Sequence, residues 1–276
     1  MATDSRASII TLTTDFGGIN HYVAQMKAAI LGICPSATIV DVNHQITPQD
    51  IFQGAWVLSQ VVESFPDDTC HVVVVDPGVG TSRPIVVARA RGQFFVAPDN
   101  GVLSLVLDDG QRIDWIRSLN DLNRWSSRHS RTFHGRDVMA PVAAHLMNGL
   151  SLDILGPLQP DLNVRLKPPE LKPQQAGISG SVVAIDAFGN LITNIPLEAL
   201  PETNQNLRIR VGDTANPLEI QGLSRTYADQ PTGSVIALIG SNEMLEIAVV
   251  DNHAASTCQI DPGVSVKVDW LDAPLP

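Results

Sequence analysis

The sequence predicts an α/β protein: an N-terminal α/β domain with a central, largely parallel sheet flanked by helices, then a smaller C-terminal β-barrel domain. Three observations carry this expectation. Strand and helix patterns alternate through the first half. The run Val72-Val73-Val74-Val75 suits a strand buried on both faces. Beyond Gly156 helical periodicity fades and short β-like segments take over.

In chain order, "SIITLTTD" (8–15) is β-rich and ends in the turn signal Asp15-Phe16-Gly17-Gly18. Val23, Met26, Ala29, Ile30 and Ile33 then recur at helical spacing over 21–34, and Pro35 stops that helix. "TIVDVNH" (38–44) reads as a second strand. Pro48 stands where the next helix would begin, with Ile51, Ala55, Leu58 and Val62 on one face of 49–65. "CHVVVVD" (70–76) is a third strand, and 85–101 reads as two strands around Arg91-Gly92. A further helix covers 134–149 and ends at Gly149. Alternation with short connections implies a layered α/β domain, placed at 8–165. The proline-rich stretch from Gly156 reads as a linker-like excursion, with the linker proper at 166–177. "SGSVVAID", "LRIRVG", "SVIALIG", "MLEIAVVD" and "VSVKVDW" then build the β domain, 178–272.

Composition narrows the function. With 276 residues, 44% of them hydrophobic, the chain can bury a substantial core. A net charge of −11 without any basic run argues against a nucleic-acid partner. The N-terminus has no secretory pattern and no apolar stretch is long enough to span a membrane, so a cytoplasmic location is expected. Three scattered cysteines outside any CxxC pattern fit reduced thiols better than disulfides or a zinc site.

Two N-terminal strands end in an aspartate followed by glycine: Asp15 in "TTDFGG" and Asp76 in "VVDPGVG". Carboxyl ends of parallel strands are where open α/β sheets place ligands. Either aspartate alone explains itself as a turn cap; the pair, with Arg83 seven residues after Asp76, points to a site. "GVGTSR" lacks the ending of a phosphate-binding loop, and "DFG" has no kinase companions. His134 and Asp137 lack a third ligand at suitable spacing, so no metal is expected. His134, in "TFHGRD" before a helix, is placed to project into a cleft; the other histidines read as structural or surface groups. Asp186 in "AIDAFGN", Gly240-Ser241-Asn242, Glu246 and Asn252-His253-Ala254 mark turns and strand ends where turn chemistry and ligand binding are equally good explanations.

Taken together, "TLTTDFG", "VVVVDPGVGTSRPIVV", "FVAPDNGVLSLV", "TFHGRDVMAPVAAHL", "IDAFGNLITNI" and "GSNEMLEIAV…NHAA" resemble the S-adenosylmethionine hydroxide adenosyltransferases, relatives of the fluorinating and chlorinating adenosyltransferases. The resemblance runs from about residue 9 to 270. It implies hydrolysis of S-adenosylmethionine to adenosine and methionine, without a cofactor, by water or hydroxide attacking ribose C5′. It assigns Asp76, Arg83 and His134 to orienting and activating that water. It places Asp15 in the nucleoside pocket, and Asn20 where the family commonly has a ribose-holding acid. It puts Asp186 and Ser241 at the methionine amino and carboxylate groups. Asn190 falls at an adenine contact, and Asn242 where the halide-using branch often has arginine. Glu246 and Ala254 complete the expected substrate-binding set. It further implies a homotrimer with sites between the N-terminal domain of one subunit and the C-terminal domain of its neighbour. A halide adenosyltransferase and a non-catalytic S-adenosylmethionine or adenosine binder are the competing readings. Neither needs the Asp76, Arg83, His134 set.

Overall fold

The structure is a computed structural model and describes residues 8–107, 113–127, 130–201, 206–212 and 217–270. The chain divides into two compact units, Met1–Lys167 and Pro168–Pro276.

The first unit is built from β1 (Ile9–Thr14), α1 (Tyr22–Ile33), β2 (Thr38–Asn43), α2 (Ile51–Val61), β3 (Cys70–Val74), β4 (Ile85–Ala90), β5 (Gln93–Pro98), β6 (Ile113–Ser118), α3 (Ala140–Met147) and β7 (Leu158–Gln159). Among the described residues its sheet has seven strands, in the order β2-β1-β3-β5-β4-β6-β7. β2, β1, β3 and β5 are mutually parallel, whereas β4, β6 and β7 each run antiparallel to the strand before them in that order. The largely parallel expectation therefore holds in part: the sheet is parallel through β5 and antiparallel beyond it. The cause is local: Arg91 (φ 53°) and Gly92 (φ 77°) are the only residues between β4 and β5. Two left-handed residues in a two-residue connection make a hairpin, which reverses the chain.

The valine run is explained by burial on both faces. Cys70, Val72 and Val74 of β3 join Ile85 and Val87 of β4 in a cluster with Met26 and Ile30 of α1 and Val142 and Ala143 of α3. The intervening Val73, with Val86, Ala88 and Phe95, packs under Leu58 of α2 on the other face. His71 shares the alternation as a core residue. Its Nδ1 lies 2.8 Å from Thr11 Oγ1, its Nε2 3.3 Å from Gln93 Oε1, and its ring stacks on Phe95. Burial pushes its pKa down to about 4.

Two helix boundaries differ from the pattern. Pro48 lies in the turn before α2, and Asp50 caps the helix by accepting from Gln53 N–H at 2.8 Å. The helix expected at 134–149 opens instead with a π-turn, Gly135–Met139, in which Ala140 N–H bonds Gly135 C=O. Pro141, which has no N–H, cannot bond Asp137 C=O, and the ladder widens there.

The second unit contains β8 (Lys172–Gln174), β9 (Gly177–Ile185), β10 (Leu191–Pro196), β11 (Leu207–Val211), β12 (Leu218–Gln221), β13 (Val235–Ile239), β14 (Met244–Val249), α4 (Ala254–Cys258) and β15 (Ser265–Trp270). Its antiparallel strand order is β12-β11-β15-β9-β10-β14-β13, with β8 pairing β9. Ser224 N–H donates to Ala237 C=O at 2.8 Å, tying the segment after β12 to β13. The sheet is thus nearly barrel-shaped around Val182, Leu191, Ile209, Ile247 and Val268. The proline-rich stretch is not free chain, since β7 pairs β6 and β8 pairs β9. Strands of two and three residues are too short to leave a periodic trace in sequence.

Candidate active site

In the first unit, a cavity of about 260 Å³ opens at the carboxyl ends of β1 and β3, lined by Asp15, Phe16, Gln49, Asp76, Phe133 and His134 among others. The loop after β3 folds back on itself. Val79 N–H bonds Asp76 C=O, Thr81 N–H bonds Gly78 C=O, and Thr81 Oγ1 donates to Gly78 C=O at 2.6 Å. Gly80 is at φ +81°, and a Cβ there would stand 2.7 Å from the carbonyl oxygen of Arg131. Only glycine permits both the turn and that approach.

These turns bring Arg83 onto Asp76. Arg83 Nε donates to both carboxylate oxygens, at 2.8 and 3.0 Å, and Nη2 donates to Oδ2. Both side chains are nearly buried, at 10% and 5% exposure. Arg83 Nη2 also lies 3.0 Å from His134 Nδ1. A guanidinium only donates, so Nδ1 accepts and the neutral ring carries its hydrogen on Nε2. Burial, and then the charge of Arg83, hold the His134 pKa below its ordinary 6.5, against opposite pulls from Asp76 and Asp137. Arg83 Nη1 is buried with no hydrogen-bond partner among the described residues. A buried donor in this state costs about 1–3 kcal/mol and can bind one more oxygen.

Asp15 Oδ2 accepts from Gln49 N–H at 2.9 Å. Gln49 occupies the third position of a turn closed by Asp50 N–H to Thr47 C=O, with φ at 70°. That is a type II arrangement, which glycine or asparagine normally fills. Phe16, Tyr22 and Phe133 meet edge to face with centroids 5.2–5.6 Å apart. Asn20 is not brought to the cavity lining. Its Nδ2 donates to Phe16 C=O at 2.5 Å and its Oδ1 accepts from Tyr22 N–H, so the exposed amide closes the turn ahead of α1.

In the second unit, Asp186 and Asn190 are brought together. Asp186 Oδ1 accepts from Phe188 and Asn190 N–H, and Oδ2 accepts from Asn190 Nδ2 at 2.9 Å. Gly189, at φ +89°, lets His253 approach, since a Cβ there would fall 2.2 Å from its ring. Ala255 N–H to Gly189 C=O joins α4 to this turn. Phe188, Asn190, Tyr227, Val249, Asp251 and Asn252 line a cavity of about 530 Å³. Glu246, 5% exposed, accepts the Tyr227 hydroxyl at 2.5 Å; burial raises its pKa, and Asp186 adds to the rise. Burial likewise raises Tyr227. Ser241 and Asn242 form the β13–β14 turn and do not line that cavity, although Glu246 Oε2 lies against Gly240. Ala254 is fully buried in the core of this unit.

Sequence reasoning missed Phe16, Gln49, Phe188 and Tyr227 as cavity residues. Phe188, 78% exposed at a turn tip, carried the clearest signal, since a large aromatic in "AFGN" has no turn-forming purpose.

A strand-end cavity with an Asp–Arg–His chain in one unit, and an aspartate-centred turn in the other, define a two-domain ligand-binding class that comparison resolves further. An (R)-S-adenosyl-L-methionine hydrolase from Salinispora arenicola is 35% identical over 263 residues, spanning 94% of this chain and 97% of the relative. A fluorinase from Actinopolyspora mzabensis is 31% identical, spanning 94% and 96%. The crystal structure of an uncharacterized conserved protein from Thermotoga maritima superposes with a TM-score of 0.85 at 35% identity, covering 94% of this chain and 99% of that one. Residues 10–156 match the SAM hydroxide adenosyltransferase N-terminal domain and residues 180–267 the C-terminal domain. The chain belongs to the SAM hydroxide adenosyltransferase family.

Proposed function

We propose that the chain hydrolyses S-adenosyl-L-methionine to adenosine and L-methionine, with Asp76, Arg83 and His134 positioning and activating the water. The oxygen of water bonds ribose C5′ as the C5′–S bond breaks. The bonding pair returns to sulfur, neutralising the sulfonium, and one water proton is lost. No acid is needed to expel methionine, because a sulfonium is already a good leaving group. What the site must supply is an oriented, partly deprotonated oxygen in line with that bond.

The observation that carries this reading is the hydrogen-bonded Asp76–Arg83–His134 chain, of which Asp76 and His134 line the cavity and Arg83 joins them. Arg83 holds fixed positive charge beside the oxygen, with Nη1 still a donor to spare. Asp76 locks the guanidinium plane. His134 is the group able to take the proton, at Nδ1 once Arg83 Nη2 turns from it to the oxygen. A halide needs no proton acceptor, so this chain favours water over fluoride or chloride, although fluorinases are among the relatives. Asp15 and Gln49 serve the nucleoside, with Asn20 acting through the turn it closes. Asp186, Asn190, Ser241, Asn242 and Glu246 serve the rest of the substrate, with Ala254 packed in the core beneath them. A cytoplasmic location, a homotrimer and cofactor-free turnover belong to the same proposal; light scattering that gave a monomer would remove the second. Among the described residues no helix is long and apolar enough to cross a membrane.

Chromatography of the purified protein with S-adenosylmethionine, with and without fluoride or chloride, tests the reaction. Equal amounts of adenosine and methionine, independent of halide, are expected. A 5′-halo-adenosine would transfer the chain to the halogenating branch, and intact bound substrate would make it a binder.

Gln49→Gly offers a separate check. It should relieve about 1 kcal/mol of left-handed backbone strain and raise Tm, while raising KM through loss of the side chain from the cavity. A variant with higher Tm and unchanged KM would remove Gln49 from the substrate site.

A further inference from the structure

His134 faces a second cavity as well. Behind the substrate cavity lies one of about 530 Å³, lined by His134 together with Asn120, Asp121, Asn123, Ser130, Arg131 and Asp137. His134 is the residue that the two cavities share. The hydrolysis proposed above releases one proton per turnover, and bound substrate fills the front cavity during the step. Both oxygens of Asp76 are engaged by Arg83. The open, polar side of His134 is therefore the rear one.

Asp137 anchors that side. It is 3% exposed and follows His134 by one turn of the chain. Its Oδ2 accepts from Ser130 N–H at 3.0 Å, closing the loop that carries Phe133 and His134 at its end. Arg136 grips the same carboxylate through Nε at 2.6 Å and Nη2 at 2.9 Å, and is itself held by Gln25. The charge of this firmly held carboxylate pulls the His134 pKa upward, against Arg83 and burial.

We infer that the rear cavity is the proton outlet of the reaction, and that Asp137 is a positioning residue that steadies His134 and its transient positive charge. This rests on the hydrolytic reading. As C5′–O forms and C5′–S breaks, the water O–H bond breaks and its proton passes to His134 Nδ1 as Arg83 Nη2 lets go of it, and the proton already on Nε2 leaves to solvent in the rear cavity. Among the described residues, the charged groups facing His134 are Asp76 and Arg83 in front and Asp137 behind, with Arg136 paired to Asp137 and Asp121 and Arg131 at the cavity wall. Asp76 and Asp137 favour the imidazolium, while Arg83 and burial oppose it.

Two variants test the outlet with S-adenosylmethionine as substrate. Asn123→Phe, at an exposed rim position, fills the cavity without touching the Asp76–Arg83–His134 chain. It should lower kcat at unchanged KM and enlarge the solvent deuterium isotope effect. Asp137→Asn keeps the Ser130 contact but loses the charge. It should lower kcat about tenfold and move the acid limb of the kcat–pH profile to lower pH. Wild-type rate and isotope effect in Asn123→Phe would overturn the outlet, and a lower kcat with an unmoved acid limb would leave Asp137 a purely structural role. Wild-type protein that forms no adenosine would instead remove the hydrolytic reading itself.

Discussion

Arg83→Lys is expected to lower kcat for adenosine formation by about 10²–10³-fold, with substrate affinity little changed. Arg83 now does three things at once: it grips both oxygens of Asp76, reaches His134 Nδ1 and keeps Nη1 in reserve. A planar fork can serve three directions, but an ammonium on a flexible stem cannot hold them together. Lysine is the informative replacement because it keeps a charge beside the nearly buried Asp76. Alanine would leave that carboxylate unpaired, typically at about 3–5 kcal/mol of stability, and would confuse a lost fold with lost chemistry. Single-turnover kinetics combined with calorimetric binding separate the two. Wild-type turnover in Arg83→Lys would show that charge alone suffices and that the fork is dispensable.

The second large effect lies in the core. Acidification from pH 6.5 to 4 should cost the folded state about 3 kcal/mol through His71 alone. Unfolded, this histidine titrates near 6.5; folded, burial holds it at about 4. Within that window the unfolded chain binds one more proton, so lowering the pH favours unfolding. The stability is complete above pH 6.5 and is lost as pH falls through the window. Denaturant melts of wild type and His71→Gln at pH 7, 5.5 and 4 isolate it from the carboxylates. The variant should start less stable, having lost the contacts to Thr11 and Gln93, but decline less steeply. Parallel declines would mean that His71 does not titrate there. His134 adds to the same trend, since burial and the charge of Arg83 lower its pKa as well.

Some of this was readable before any coordinates. The valine run implied two buried faces, and the structure supplies α1 and α3 on one and α2 on the other. Arg91-Gly92 was legible as a turn, yet its consequence was not carried through: a two-residue hairpin must break a parallel sheet. Asp76, Arg83 and His134 could be singled out by residue type and by resemblance. Their meeting depends on a loop that doubles back and on a contact across 51 positions, which no local pattern encodes. Gln49 escaped notice because left-handed strain is a property of backbone angles. The Asn20 side chain suits a ribose hydroxyl, and the same chemistry suits a helix entry, where its amide bonds Tyr22 N–H.

The π-turn after His134 has a consequence for how this chain could change. One residue more than a regular helix needs is stored between Gly135 and Met139. Deleting one residue there would regularise the ladder and swing the chain ahead of it by about 100°, carrying the imidazole away from Arg83. The shortest route to a tidier helix is thus a route to an inert protein. A lineage that kept its chemistry could vary the residues of this turn, but it could not vary their number.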